Sequence, residues 1–319
     1  MNLFAPAALA LSLAIGLSAP AVAAEPLRAL ATTGMVGDVV KAVAGDRARV
    51  ETLMGQGVDP HLYKATRSDV ARLISSDILF YNGLLLEGKL ADALVRVATA
   101  GKPVHAVTER IDEALLLEPA EFAGAYDPHV WMDPRRWSAT VDVVRDALAA
   151  RDAAGADAFA ASAEAYKAEL ARLDAYAEEA LGAVPAERRV LVTAHDAFNY
   201  FGDRYGFEVM GIQGISTESQ AGLARIEELV SLLIERDIPA VFVETTVSDR
   251  AVRALVEGAA ARGHEVAIGG ALYSDAMGAP GTYEGTYLGM IDHNVTTIAR
   301  SLGGDAPAKG LNGRLAAAN

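Results

Sequence analysis

The sequence predicts an α/β fold of two lobes, each with a mainly parallel sheet flanked by helices, joined by one long rigid linker helix. Three observations carry this. From Leu27 onward, short apolar runs alternate with helical periodicities, the pattern of helices covering a parallel sheet. The alternation restarts after Pro185, following an uninterrupted helical stretch. At 319 residues the chain also exceeds a typical single core and suits two domains. The expected boundaries are 1–24 for a signal peptide, 25–152 for the first lobe, 153–184 for the linker helix and 185–319 for the second lobe.

In the first lobe, 27–33, 49–54, 77–83 and 102–107 read as strands, and 36–45, 65–76 and 89–98 as helices. The segment 133–152 is helical, with Asp133 placed to cap it and Pro134 at its first position. In the linker, Phe159, Ala163, Tyr166, Leu170, Leu173, Ala177 and Leu181 recur at spacings of three and four, which marks one amphipathic helix. From 157 to 183 it would run roughly 40 Å. A surface helix within a single domain would share that pattern; the restart of strands after Pro185 favours a connection between lobes. In the second lobe, 188–194, 207–213, 238–245 and 264–270 read as strands. Between and after them, 197–206, 223–237, 249–263 and a segment within 284–302 read as helices.

Composition narrows the function. A net charge of −14 argues against nucleic acid, which needs clustered Lys and Arg, and makes a cation the natural partner. The absence of cysteine excludes disulfides, thiolate metal sites and thiol nucleophiles, so a metal here would be held by nitrogen and oxygen. The N-terminal apolar run ending in small residues reads as a cleavable export signal. With no Cys after it, the expectation is a soluble, monomeric periplasmic protein without a lipid anchor.

Two of the six histidines sit in the same tripeptide, Asp59-Pro60-His61 and Asp127-Pro128-His129. Each proline fixes φ before its His and disfavours helix for the preceding Asp, so the repeat forms a rigid pedestal for an imidazole. His61 and His195 fall in loops or ends after strands, where open parallel sheets place ligands, and His129 follows an acidic stretch. Asp275 lies beyond the strand at 264–270. His61 and His129 from the first lobe, with His195 and Asp275 from the second, would form a His3Asp site across the cleft. Three imidazoles and a carboxylate suit Zn2+, and Mn2+ accepts them. Four protein ligands leave no position for a reactive water, so the site suits holding an ion. Taken singly, each His is more economically a loop or core residue and Asp275 a turn residue; their coincidence shifts the balance. His105, His264 and His293 read as structural, and the acidic run from Glu109 to Glu121 as a solvated face.

The stretches "LMGQGVDPHLYKATRSDV", "DILFYNGLLLEGKL", "DPHVWMDP", "LVTAHDAFNYF", "GGALYSDAMG" and "GTYEGTYLGMIDHN" occur in that order. With them the chain resembles the TroA-like zinc- and manganese-binding solute-binding proteins of ABC importers. The resemblance implies two lobes joined by a rigid helix, ligands at His61, His129, His195 and Asp275, and delivery of the ion to an inner-membrane ABC permease. Some manganese-type members carry Glu where this sequence has His195, and many zinc members carry a His-rich loop absent here. His195 makes zinc the expected tighter binder in vitro, while the missing His-rich loop keeps manganese as an expected cargo in the cell. The rival is a zinc-dependent hydrolase, which needs an open coordination position and a base; the sequence lacks an HExxH motif. A surface adhesin with a structural metal is a further alternative.

Overall fold

The computed structural model describes residues 25–122 and 124–316; the expected signal peptide lies outside them. The first lobe opens with strand β1 (Leu27–Ala31), helix α1 (Gly34–Ala44) and β2 (Ala48–Thr52). It continues through α2 (Arg67–Ser75), β3 (Ile78–Tyr81), α3 (Ala91–Thr99), β4 (Val104–Ala106) and α4 (Pro134–Arg151). Its strands form one parallel sheet in the order β2-β1-β3-β4. Helix α1 starts where Thr33 accepts from the Val36 N–H. Helix α2 starts with a capping box, in which Thr66 and Asp69 satisfy each other's backbone donors. Asp133 caps α4, accepting from the N–H groups of Arg135 and Arg136.

Helix α5 (Ala156–Gly182) follows, and then β5 (Val190–His195), α6 (Asn199–Tyr205) and β6 (Glu208–Gln213). The chain ends through α7 (Leu223–Glu235), β7 (Ala240–Glu244), α8 (Arg250–Ala261), β8 (Ala267–Leu272) and α9 (Tyr287–Ser301). The second lobe departs from a single laddered sheet. Its hydrogen-bonded ladders are two parallel pairs, β5-β6 and β7-β8, with β5 lying against β7. The β7-β8 register shifts at Val241/Phe242, where Gly269 runs so close to the Phe242 ring and Ser301 that a Cβ would stand 2.8–2.9 Å from them. Strand β8 also begins later than the expected 264, leaving His264 outside it, with Nε2 3.1 Å from the Ile238 carbonyl.

All seven apolar residues of the linker periodicity are buried. The helix is a wedge more than a strap. It packs on α1 and α4 of the first lobe and on α6 and α9 of the second, so the largest apolar cluster runs through both lobes. Asp174, near the end of its buried stripe, receives Arg204 at 3.0 and 2.7 Å and the Tyr205 hydroxyl at 3.0 Å, fastening α5 to α6. At about 1.5–3 kcal/mol per fully buried large apolar side chain, this seam resists a wide hinge. Among the described residues no helix is long and apolar enough to cross a membrane.

Candidate metal centre

The parallel strands of both lobes aim their carboxyl ends at one cleft. The loop after β2 delivers His61, the segment between β4 and α4 delivers His129, β5 ends on His195, and the turn after β8 delivers Asp275. The four donor groups all lie within 4.8 Å of one another. His61 Nε2 stands 3.3 Å from His129 Nε2 and 3.8 Å from Asp275 Oδ2. His129 Nε2 is 3.3 Å from Asp275 Oδ1, and His195 Nε2 is 3.3 Å from Asp275 Oδ2. His129 and His195 are fully buried, and His61 is the most accessible at 6%. Both Asp275 oxygens and His195 Nε2 are buried without a hydrogen-bond partner. Such groups are costly unless something satisfies them; protons on His129 and His195, 3.3 Å from Asp275, do so in the metal-free protein, and a divalent cation would take their place.

The repeated tripeptide finds its explanation here. In each copy the Asp carboxylate accepts the N–H of the His two residues on, at 2.8 Å for Asp59-His61 and 2.9 Å for Asp127-His129. Proline between them has no N–H to compete, so the turn closes on the histidine. Asp127 also reaches His129 Nδ1 at 2.7 Å, and is itself held by Asn199 Nδ2 at 3.0 Å. The other Asp59 oxygen takes the Thr217 hydroxyl at 2.5 Å, from the loop after β6. His195 is steadied by Glu244, at the end of β7. Asp127 and Glu244, each at an Nδ1, turn the Nε2 edges of His129 and His195 inward and raise their basicity, whereas Asp59 holds only the backbone of His61. The sequence marks Asp59 and Asp127 only as non-helical residues before proline, with the Asp-x-His spacing as the signal of their second role, and it carries no local signal for Glu244.

The electrostatics follow from these contacts. Burial opposes a charge on His129, but Asp127 and Asp275 overcome it and hold its pKa up at about 9. Burial likewise opposes His195, and Glu244 and Asp275 raise it well above the ordinary imidazole value. His61 lacks such a partner, and burial takes it down to about 4 against the pull of Asp275. Burial disfavours the Asp275 charge, yet His195 and His129 keep its pKa well below the carboxylate range. The cluster is thus a carboxylate ringed by imidazoles, chemically equipped to exchange protons for a divalent ion.

The lobes are also tied beside the centre. Trp131 Nε1 donates to the Ser274 carbonyl at 2.9 Å, and the Tyr287 hydroxyl donates to the Trp131 carbonyl at 2.7 Å. The residue preceding Asp275 is therefore anchored to the segment that carries His129. His105 lies in β4 and His293 bonds the Ala271 carbonyl at 2.9 Å; neither joins the cluster.

Comparison with known proteins agrees with this architecture. Residues 30–301 match the family model described as zinc-uptake complex component A, periplasmic. The manganese-binding lipoprotein MntA of Bacillus subtilis is 46% identical over 278 residues, covering 87% of this chain and 90% of that one. The zinc-binding protein TroA of Treponema pallidum is 46% identical over 273 residues, covering 85% and 87%. The solved structure of the TroA periplasmic zinc-binding protein superposes with a TM-score of 0.84 over 87% of this chain and 99% of that one, at 44% identity. One expectation is corrected: a periplasmic protein without a lipid anchor does not stand against a relative of this similarity that is named a lipoprotein. A count of cysteines bears on one attachment chemistry alone and is too thin a basis for the stronger statement. With its model matched across both lobes, the chain belongs to the family of zinc-uptake complex component A.

Proposed function

We propose that this protein captures a divalent transition metal ion, zinc or manganese, with His61, His129, His195 and Asp275, and delivers it to an ABC-type membrane permease. Residues 25–152 and 185–319 act as the two ligand-bearing lobes, and 153–184 as the rigid connection. The observation that carries this reading is the meeting of four buried donors from opposite lobes, with the Asp275 oxygens left without hydrogen bonds. Zinc accepts a closed set of three imidazoles and a carboxylate, while manganese usually takes more oxygen. The relatives' names divide between the two metals, and we place zinc as the tighter binder in vitro. Four protein ligands around one ion leave no site for an activated water, so we read the protein as a carrier and not a hydrolase. It acts as a monomer and has no role with nucleic acid.

The test is calorimetric titration of zinc and manganese into the metal-stripped protein and into His195→Ala. One high-affinity site is expected, severely weakened in the variant. Unchanged zinc binding by His195→Ala would falsify the assignment, and robust zinc-dependent esterase or phosphatase turnover would favour the hydrolase.

A further inference from the structure

The exposed apolar surface of this protein is unevenly spread. Of the eight large hydrophobic side chains exposed among the described residues, five fall between positions 62 and 95 of the first lobe, and two of these, Val70 and Ile74, line one groove. Val70 and Ile74 are one helical turn apart on α2, 39% and 59% exposed, so they form a stripe. That stripe borders an open groove between α2 and α3 of about 820 Å³. Ala65, Ala93, Val97 and Ala100 continue the apolar lining, and a groove with such a floor suits an interaction surface.

Charge says what kind of partner fits. Lys64, Lys89, Arg96 and Lys102 line the groove against a single carboxylate, Asp92, in a chain whose net charge is −14. Lys89 is engaged by Glu218 at 3.0 Å and Lys102 by the Ser76 carbonyl. Lys64 and Arg96 are exposed and in no ion pair among the described residues. The position is equally informative, because Lys89 lines both this groove and the opening over His61. A partner seated in the groove therefore sits at the lip of the cleft.

We propose that the α2–α3 groove docks a net acidic, amphipathic helical segment of the membrane permease. The proposal rests on the transport reading above. The apolar floor takes the hydrophobic face of such a segment and the cationic rim takes its carboxylates, the helix-in-groove mode. The two nine-residue helices offer a trough of roughly 13 Å, enough for two to three turns. An anionic bilayer is the poorer occupant, because the surface is concave and the rest of the molecule is strongly acidic.

The test uses the full chain loaded with zinc and its cognate permease in proteoliposomes. Arg96→Glu and Ile74→Glu change exposed side chains outside the metal cluster, and Arg250→Glu on α8 serves as a charge-matched control. The two groove variants should raise the half-saturating concentration of loaded protein by about tenfold or more, with zinc affinity and the control unchanged. Wild-type stimulation equalled by both groove variants overturns the groove alone. A wild-type protein that stimulates no transport overturns the transport reading and the groove's partner with it. Arg96-dependent sedimentation with phosphatidylglycerol vesicles, or Ile74-dependent dimers in sedimentation velocity, would replace the permease segment with a lipid surface or a second copy.

Discussion

Glu244 holds His195 at two points: one carboxylate oxygen accepts the backbone N–H at 2.8 Å, and the other faces Nδ1 at 2.5 Å. This fixes which ring nitrogen carries the proton in the neutral imidazole and leaves Nε2 turned toward Asp275. Glu244→Gln keeps the volume but removes the charge that orients the ring. We expect metal affinity to drop about 10–100-fold with the fold intact, measured by competition with a chromophoric chelator. An affinity within error of wild type would strip Glu244 of its positioning role.

Proton release separates the three histidines. At pH 7, His129, held near 9 by Asp127 and Asp275 against burial, carries a proton in the metal-free protein, and so does His195, raised by Glu244 and Asp275. His61, lowered to about 4 chiefly by burial, does not. Asp275 is already ionised. A divalent ion must displace the protons on His129 and His195, so affinity climbs with pH. Calorimetry in buffers of different ionisation enthalpy should report about two protons released per ion near neutrality. The slope of log affinity against pH should ease as pH passes about 9, where His129 loses its proton unaided. Release of no protons at pH 7 would contradict the raised basicity of both imidazoles.

The Thr217–Asp59 bond links the second lobe to the most accessible ligand. Thr217 donates to Asp59, whose other oxygen accepts the N–H of His61, so loosening the loop after β6 frees the His61 turn. Thr217→Val removes the hydroxyl at nearly constant volume. Stopped-flow transfer of zinc to a fluorescent chelator should accelerate several-fold, with a smaller change in equilibrium affinity, since a net hydrogen bond contributes about 1 kcal/mol. Identical transfer rates would mean that the bond does not limit ion exit.

The sequence carried most of the fold because its signals were local. The stripe from Phe159 to Leu181 states its period in the text, and Asp133-Pro134 announces a helix start. The four clustered residues were legible for the same reason: each follows a recognisable strand or a duplicated tripeptide. Glu244 was not, because it meets His195 only through β5 lying against β7, and strand adjacency across 49 positions leaves no local trace. The division of the second lobe into two ladders was hidden for a similar reason. So was the register shift within β7-β8, which falls where Gly269 closely approaches Phe242 and Ser301, a packing detail that periodicity does not encode.

The core running through α5 separates folding from metal binding. Leu173 is fully buried in it, whereas His195 lies at the cleft, so two substitutions should act on different quantities. Stripped of metal by chelation, the wild-type protein should keep its far-UV circular dichroism and one cooperative transition, because the core does not depend on the ion. Added zinc should then raise Tm by mass action, with about 2.7 kcal/mol of stabilisation at a hundredfold excess over Kd. Leu173→Ala should lower stability by about 2–5 kcal/mol with and without zinc, and leave the zinc-induced increment in place. His195→Ala should do the reverse, folding without metal but gaining little on its addition. If chelation alone unfolds the wild-type chain, the ion is a structural staple, and the carrier reading gives way to that of an adhesin or other surface protein with a structural metal.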